Sequence, residues 1–348
     1  MLGNNGDVRS TLFTLVAADR GADRADHLAE LLDVHPDLDG VHDPAPRRII
    51  AQAVCVALLD DLVDRVPSAA EYLADPDRHG RRLHLDHGAV RTVAWPHAGA
   101  LPPGEEQVSR VLRPLGYEHR ETYPLPSLRM TGRSYAHVDL PAHVCQWFVS
   151  ELHPDEFSPA FQSAVGLVLA SSRDPIDAAT RRRLDALGDD ECLPVRDAVE
   201  LVPALVACFR RHHDEPVDSD YDVLLAESAE MAWIATEGTA FNHATDRVPD
   251  VVATAEHERA AGRPIKDTVE VSRSRRVRQT AHRAPLVTRR FRTREGARVE
   301  REVPGSFFEF ISRDLLPDGS AIDLGFDAAN ATGIFAMTRV TAPGAQRE

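Results

Sequence analysis

Lysine is almost absent from this sequence: Lys266 is the single one in 348 residues, and the other basic side chains are arginines. Any Schiff-base chemistry, whether of the pyridoxal-phosphate or the aldolase kind, would therefore have to run through that one amine. A basic excess is lacking too. Forty Lys and Arg stand against fifty-five Asp and Glu, giving a formal charge of -15. A chain that binds phosphate backbones carries a basic footprint, so nucleic acid is not an expected partner. No stretch of about 18 apolar residues occurs, and the opening MLGNNGDVRSTLFTLVAADRGAD has no basic region followed by an unbroken apolar core. Neither membrane insertion nor export is expected, and the cytoplasm is the expected location. The four cysteines, Cys55, Cys145, Cys192 and Cys208, lie far apart without any CxxC spacing. They read as buried, reduced thiols rather than metal ligands.

What remains, with 43% hydrophobic residues, is enough to bury a sizeable core in one elaborate domain or two coupled modules. Residues 1–82 read as a helical region. Their apolar positions recur at helical spacing, as in IIAQAVCVALLDDLVDRV, and Pro44 and Pro46 are placed to start that segment. Residues 83–138 read as β-α-β-β: a strand from Leu83 to Trp95, a helix from Gly104 to Leu115, then strands Tyr117–Leu125 and Leu128–Val138. Residues 139–236 read as a helical insertion that begins with PAHVCQWFVSEL. Residues 237–348 start with a strand at Thr239–Val248 and a helix at Asp250–Ala261. Strands then follow near Ile265–Val271, Leu286–Thr293, Arg298–Val303 and Ser306–Ser312, with a hairpin turn at Glu295-Gly296. The second run echoes the first, and each opens on a strand that carries a histidine.

Those strands hold the candidate chemistry. In LHLDHGAVRTVAW a period of two puts Leu83, Leu85, His87, Ala89, Arg91 and Val93 on one face, with His84 and Asp86 on the other. His87 and Arg91 are roughly 13 Å apart along such a strand, so a long arginine could grip a carboxylate on a ligand held at His87. In EGTAFNHATDRVPD the same arithmetic aligns Thr239, Phe241, His243, Thr245 and Arg247 and turns Asn242 away. In GSFFEFISRD it aligns Phe307, Glu309, Ile311 and Arg313. A carboxylate among three phenylalanines is costly to bury unless it is paired or ligates a metal. Two histidines and a carboxylate can fill one face of an octahedral metal and leave three positions open, an arrangement suited to non-haem Fe(II).

The stretches HGAVR, GTAFNHATDRVPD, VRQTAHRA and GSFFEFISR, within Leu83 to Val340, resemble the blocks of the 2-oxoadipate dioxygenase/decarboxylase family of the vicinal-oxygen-chelate superfamily, formerly a domain of unknown function. The resemblance implies an α+β fold of paired βαβββ modules forming a curved sheet around a metal site. It also implies an Fe(II)-dependent conversion of a small 2-oxo acid, 2-oxoadipate, to 2-hydroxyglutarate with uptake of O2 and release of CO2. Block by block, it implies His87, His243 and Glu309 as metal ligands and Arg91 as a substrate contact. It places Arg278, Gln279 and Thr280 near the pocket, and makes Arg313 a charge partner of Glu309 or of substrate. The chain departs from the family in being shorter than many bacterial members and in its mid-region YPLPSLRMTGRSYAHVDLPAHVCQWF.

Rival readings remain. Asp60, Asp61 and Asp64 match a DDxxD pattern that could hold magnesium for a diphosphate lyase, although solvated acidic residues are the plainer reading. His84, His137, His143 and His153 compete as ligands, and His212-His213 beside Asp214-Glu215 reads as a polar helix end. Paired modules of this kind also support proteins that bind a metal or small molecule without catalysis.

Overall fold

The structure, a computed structural model, describes residues 9–75 and 80–327. The chain opens with four helices: α1 (Thr11–Arg20), α2 (Ala22–Leu31), α3 (Arg47–Arg65) and α4 (Pro67–Ala74). Every residue of α3 from Ile49 to Asp60 is buried. A helix apolar on all sides belongs in the interior, and α3 packs between α1 and the sheet. Its DDxxD aspartates are held by arginines. Asp60, only 2% exposed, pairs with Arg20 at 2.6 Å and Arg24 at 2.5 Å, Asp64 pairs with the same two arginines, and Asp61 pairs with Arg65 at 3.0 Å. Asp60 is thus a buried tie between α3 and the first two helices rather than a solvated residue.

Beyond α4 come β1 (Leu85–Val93), α5 (Glu106–Leu112), β2 (Tyr117–Leu125), β3 (Met130–His137) and β4 (Gln146–Leu152). Five helices follow: α6 (Pro159–Leu169), α7 (Ala178–Asp190), α8 (Val195–Ala207), α9 (Asp218–Glu227) and α10 (Ala229–Glu237). The chain then runs through β5 (His243–Arg247), α11 (Val251–Ala260), β6 (Glu270–Val271), β7 (Val277–Ala281), β8 (Leu286–Arg292), β9 (Arg298–Pro304) and β10 (Phe307–Arg313). Eight strands form one sheet in the order β2-β3-β4-β1-β5-β10-β7-β6. In each half the opening strand pairs in parallel with the last strand of its own module, β1 with β4 and β5 with β10, and the two opening strands meet antiparallel at the centre. The sheet is strongly curled, and the expected paired βαβββ architecture is what the chain adopts.

Two details of the expected layout are corrected. The segment PAHVCQWFVSEL is not a helix: its second half is β4, paired with both β1 and β3. Trp147 and Val149 point into the main core and Phe148 to the other face, all buried. A strand covered on both faces shows no alternation and reads like a buried helix. In the second module the hairpin around Glu295-Gly296 does form, but β8 and β9 make a separate two-stranded sheet. The third strand of the main sheet is instead β7, a five-residue polar run, and the strand expected from Ile265 shrinks to β6.

The central pairing brings two backbones close together. A Cβ on Gly88 would lie 2.3 Å from the Phe241 ring, so no side chain fits where β1 crosses that core residue. Among the described residues, no helix is long and apolar enough to cross a membrane. Cys55, Cys145 and Cys208 are buried thiols and Cys192 is half-buried, with no disulfide among them.

Candidate metal centre

His87 on β1, His243 at the start of β5 and Glu309 on β10 converge on the concave face of the sheet. Each offers a ligand atom within 4.8 Å of the others, and all three side chains are buried. Nε2 of His243 lies 3.3 Å from one Glu309 oxygen, and Nε2 of His87 lies 3.9 Å from the other. The register explains the convergence. Gly88 pairs with Ala244 at the centre, so His87 and His243 occupy equivalent positions of the two modules. His87 pairs with Gln146 on β4, and His243 with Phe307 on β10. Two residues further on, the position that is Glu309 in the second module is Phe148 in the first. Three of four equivalent positions therefore carry ligand atoms, and an aromatic ring fills the fourth. Gly132 makes room for that ring, since a Cβ there would sit 2.5 Å from it.

Burial sets the charge states. Taking Glu309 out of water, with the Asp86 charge adding to the effect, pushes its pKa up to about 8 against the opposing pull of Arg313 and Lys266. Burial and the neighbouring His87 and Arg91 hold His243 well below the usual histidine range, and burial likewise lowers His87 although Asp86 opposes it. At neutral pH the metal-free cluster is thus two neutral imidazoles and a protonated carboxyl. One Glu309 oxygen is buried without a hydrogen-bond partner. Such a donor set fits a divalent metal, which would supply the missing partner and take the place of the carboxyl proton. Because the imidazoles are already neutral, metal binding near pH 7 is expected to release about one proton. Affinity should rise about tenfold per pH unit and level off above about 8. Calorimetry in two buffers of different ionisation enthalpy measures this. Release of two or more protons at pH 7 would contradict these charge states.

Sequence alternation turned Asp86 away from His87, but the structure brings the two together. A register irregularity between Leu85 and His87 lets its carboxylate reach Nδ1 of the adjacent His87 at 2.8 Å. Burial raises the pKa of Asp86, but the Arg313 and Arg247 guanidinium groups outweigh it and hold this carboxylate well below the usual range. An ionised acceptor on Nδ1 fixes the tautomer in which Nε2 carries no proton and can act as a ligand atom; here Nε2 accepts from the Thr245 hydroxyl at 3.1 Å. Arg313, expected as a partner of Glu309 or of substrate, pairs with Asp86 at 2.9 Å instead. It also donates to the Asp323 and Gly325 carbonyls. That anchors the segment carrying Phe326, whose ring lines the cavity 4.9 Å from His87 and 5.2 Å from Phe148.

The other expected contacts separate. Gln279 lines the cavity of the cluster together with Ala89, Phe148, Ser150, Asn242 and Phe326. Arg278 is engaged outside it with Asp314 at 2.6 Å, and Thr280 donates to the Thr268 carbonyl, as alternation along β7 requires. Arg91 shares the face of His87 but lines a neighbouring cavity with Gln107, His212, His213 and Thr239. Its guanidinium lies 4.9 Å from the centre of the Trp233 ring, and burial pushes its pKa down to about 10 against the opposing charge of Glu230. Asn242, expected to face away, lines the cavity because it precedes β5, where strand alternation does not apply.

None of the competing histidines joins the cluster. His84 lies beside Asp33, His143 packs tilted against His35, His153 bonds Thr131, and His137 is buried beside Tyr117. His212 and His213 lie beside the Cys208 and Ala235 carbonyls, and His213 is buried rather than at a polar end. A second group, Asp75, His257 and Glu258, is bridged by Arg263, which makes it a charge network.

Against this geometry stand the known proteins. The profile of the 2-oxoadipate dioxygenase/decarboxylase family matches residues 53–322. The chain belongs to this family. A glyoxalase superfamily protein of Ralstonia eutropha JMP134 is 50% identical, with 91% of this chain and 98% of that one covered and a TM-score of 0.86. The hydroxyglutarate synthase of Oryza sativa, solved with 2-oxoadipate, shares the fold at 19% identity over 86% of this chain and 97% of that one, with a TM-score of 0.65. That of Pseudomonas putida does so at 20% identity over 86% of this chain and 75% of that one, with a TM-score of 0.60. No curated protein matches the sequence.

Proposed function

We propose that this chain is an Fe(II)- and O2-dependent enzyme that oxidatively decarboxylates 2-oxoadipate, or a close analogue, to 2-hydroxyglutarate. The observation that carries the reading is the buried His87, His243, Glu309 cluster with Phe148 at the fourth equivalent position. The overall change balances: C1 of the acid leaves as CO2, the former ketone carbon becomes a carboxyl with one atom of O2, and the other atom becomes the hydroxyl on the next carbon. Bound Fe(II) would supply an anchor for the 2-oxo and carboxylate oxygens and the means to activate O2.

The chain's own residues do the rest. Asp86 orients His87 as a ligand. Phe148 denies the metal a fourth protein ligand, which leaves room for a chelating acid and O2. Phe148 and Phe326 keep water from the reacting carbons, while Arg313 secures both the His87 partner and the segment that carries Phe326. Arg91 is assigned the far carboxylate of the substrate, from its place on the His87 face and the family resemblance, and Gln279 a polar contact beside the cluster. The test is anaerobic loading with Fe(II) followed by O2 uptake across a panel of 2-oxo acids. Uptake is expected with 2-oxoadipate and its near homologues, matched by equimolar CO2. No O2 consumption with any 2-oxo acid would leave a metal-binding protein without this activity.

A further inference from the structure

Three buried atoms on the side chains that line the cluster cavity find no hydrogen-bond partner among the described residues: one Glu309 oxygen, Nδ1 of His243 and the Asn242 carboxamide oxygen. A metal accounts for the first. It does not account for Nδ1 of His243, because the other ring nitrogen, Nε2, is the one that faces Glu309 at 3.3 Å. A histidine that ligates through Nε2 carries its proton on Nδ1. That N–H is ordinarily given to an oxygen, since a buried donor left unpaired is costly. The His243 ring packs against the rings of Phe307 at 4.9 Å and His87 at 5.4 Å, and neither offers an oxygen.

The other half of the sheet shows how such a donor is met. The antiparallel pairing centred on Gly88 and Ala244 relates His87 to His243, and therefore Asp86 to Asn242. Asp86 bonds Nδ1 of the histidine that follows it at 2.8 Å. Asn242 stands in the same place before its own histidine and brings an acceptor that nothing else uses. Its backbone is fixed independently of the side chain. The N–H donates to the Ala89 carbonyl at 2.9 Å, and the carbonyl accepts from the Phe307 N–H at 3.0 Å. The two acceptors differ in charge. Asp86 is ionised because Arg313 and Arg247 pair with it at 2.9 and 2.6 Å, whereas an amide accepts the same bond with no buried charge to balance.

We propose that Asn242 is the positioning residue of His243: its carboxamide oxygen accepts the Nδ1–H when Nε2 ligates the metal, as Asp86 does for His87. This rests on the metal site of the proposed function and not on its reaction. Donor and acceptor are neighbours in the chain, so rotation about their side-chain bonds can close the pair while the backbone stays in place. Each module then supplies a histidine ligand together with the residue that orients it, one partner charged and the other neutral.

The test loads the full chain with Co(II), whose unpaired electrons shift the exchangeable Nδ1–H resonance of each histidine ligand clear of the other protons in the NMR spectrum. Two such signals are expected. Asn242→Leu, similar in shape but without an acceptor, should displace one of them and hasten its exchange with solvent, while Asp86→Asn should displace the other, which assigns both. Cobalt affinity of Asn242→Leu should fall about tenfold, as for other residues that orient a ligand. Asn242→Asp, which keeps an acceptor and adds charge, should move the same signal yet hold the affinity at or above the wild-type value. That variant decides the question even where Asn242→Leu fails to fold. Loss of affinity with both signals in place would make the role structural, and unchanged signals with unchanged affinity would remove Asn242 from the site; either result overturns the proposal. A wild-type chain that takes up no cobalt would overturn the metal site itself, an outcome distinct from a variant that behaves like the wild type.

Discussion

Replacing His87, His243 or Glu309 by alanine should lower metal affinity by on the order of a hundredfold or more, since even residues that only orient a ligand contribute tenfold to a hundredfold. Turnover should fall with it to background. The fold should survive. At neutral pH the Glu309 carboxyl is held protonated by burial, with a pKa of about 8, so its removal strands no charge. The sign is informative. A carboxyl raised in the folded state loses stability as pH climbs from about 4.5 toward 8, because the unfolded chain ionises first. Metal-free Glu309→Ala should therefore be as stable as the metal-free wild type near pH 5 and relatively more stable near pH 8. Elemental analysis together with thermal melts at the two pH values reads both effects. A variant that keeps full metal and full turnover removes its residue from the ligand set.

Phe148→Glu should produce the opposite split. The register places this side chain at the counterpart of Glu309, so a glutamate there would give the metal a fourth protein ligand. The metal should bind about tenfold tighter or more, while oxidative turnover drops about a hundredfold because a position meant for substrate or O2 is taken. Without metal the same variant should be destabilised by an unpaired buried carboxyl. Phe148→Leu, which keeps the site apolar, should retain metal and most of the turnover. Metal titration alongside a turnover assay decides. Unchanged metal affinity with full turnover in Phe148→Glu would mean that the ring does not face the metal.

The convergence of His87, His243 and Glu309 was anticipated by the family resemblance, which named them as ligands, and was consistent with a period of two and with the cost of a carboxylate among phenylalanines. The fourth position was not legible. Phe148 belongs to a strand buried on both faces, whose unbroken apolar run resembles a helix, and the missing strand concealed the symmetry that relates Phe148 to Glu309. Asp86 and Asn242 were misplaced for a related reason, since alternation fails at the irregularity before His87 and in the bend before β5. Arg313 was recognised as a charge partner but given the wrong carboxylate, because only the fold brings Asp86, 227 residues away, against it. Phe326 gave no periodic signal at all; its place follows from the carbonyls that Arg313 holds.

The central claim, that the cluster supports oxidative decarboxylation rather than metal binding alone, is tested most directly by one turnover of the Fe(II)-loaded chain with 2-oxoadipate under isotopically heavy O2, followed by mass analysis of the product and the gas. Both heavy atoms are expected in 2-hydroxyglutarate, with unlabelled CO2 released in equal amount. Unlabelled 2-hydroxyglutarate, heavy label in the CO2, or no product at all from a fully loaded site would contradict it.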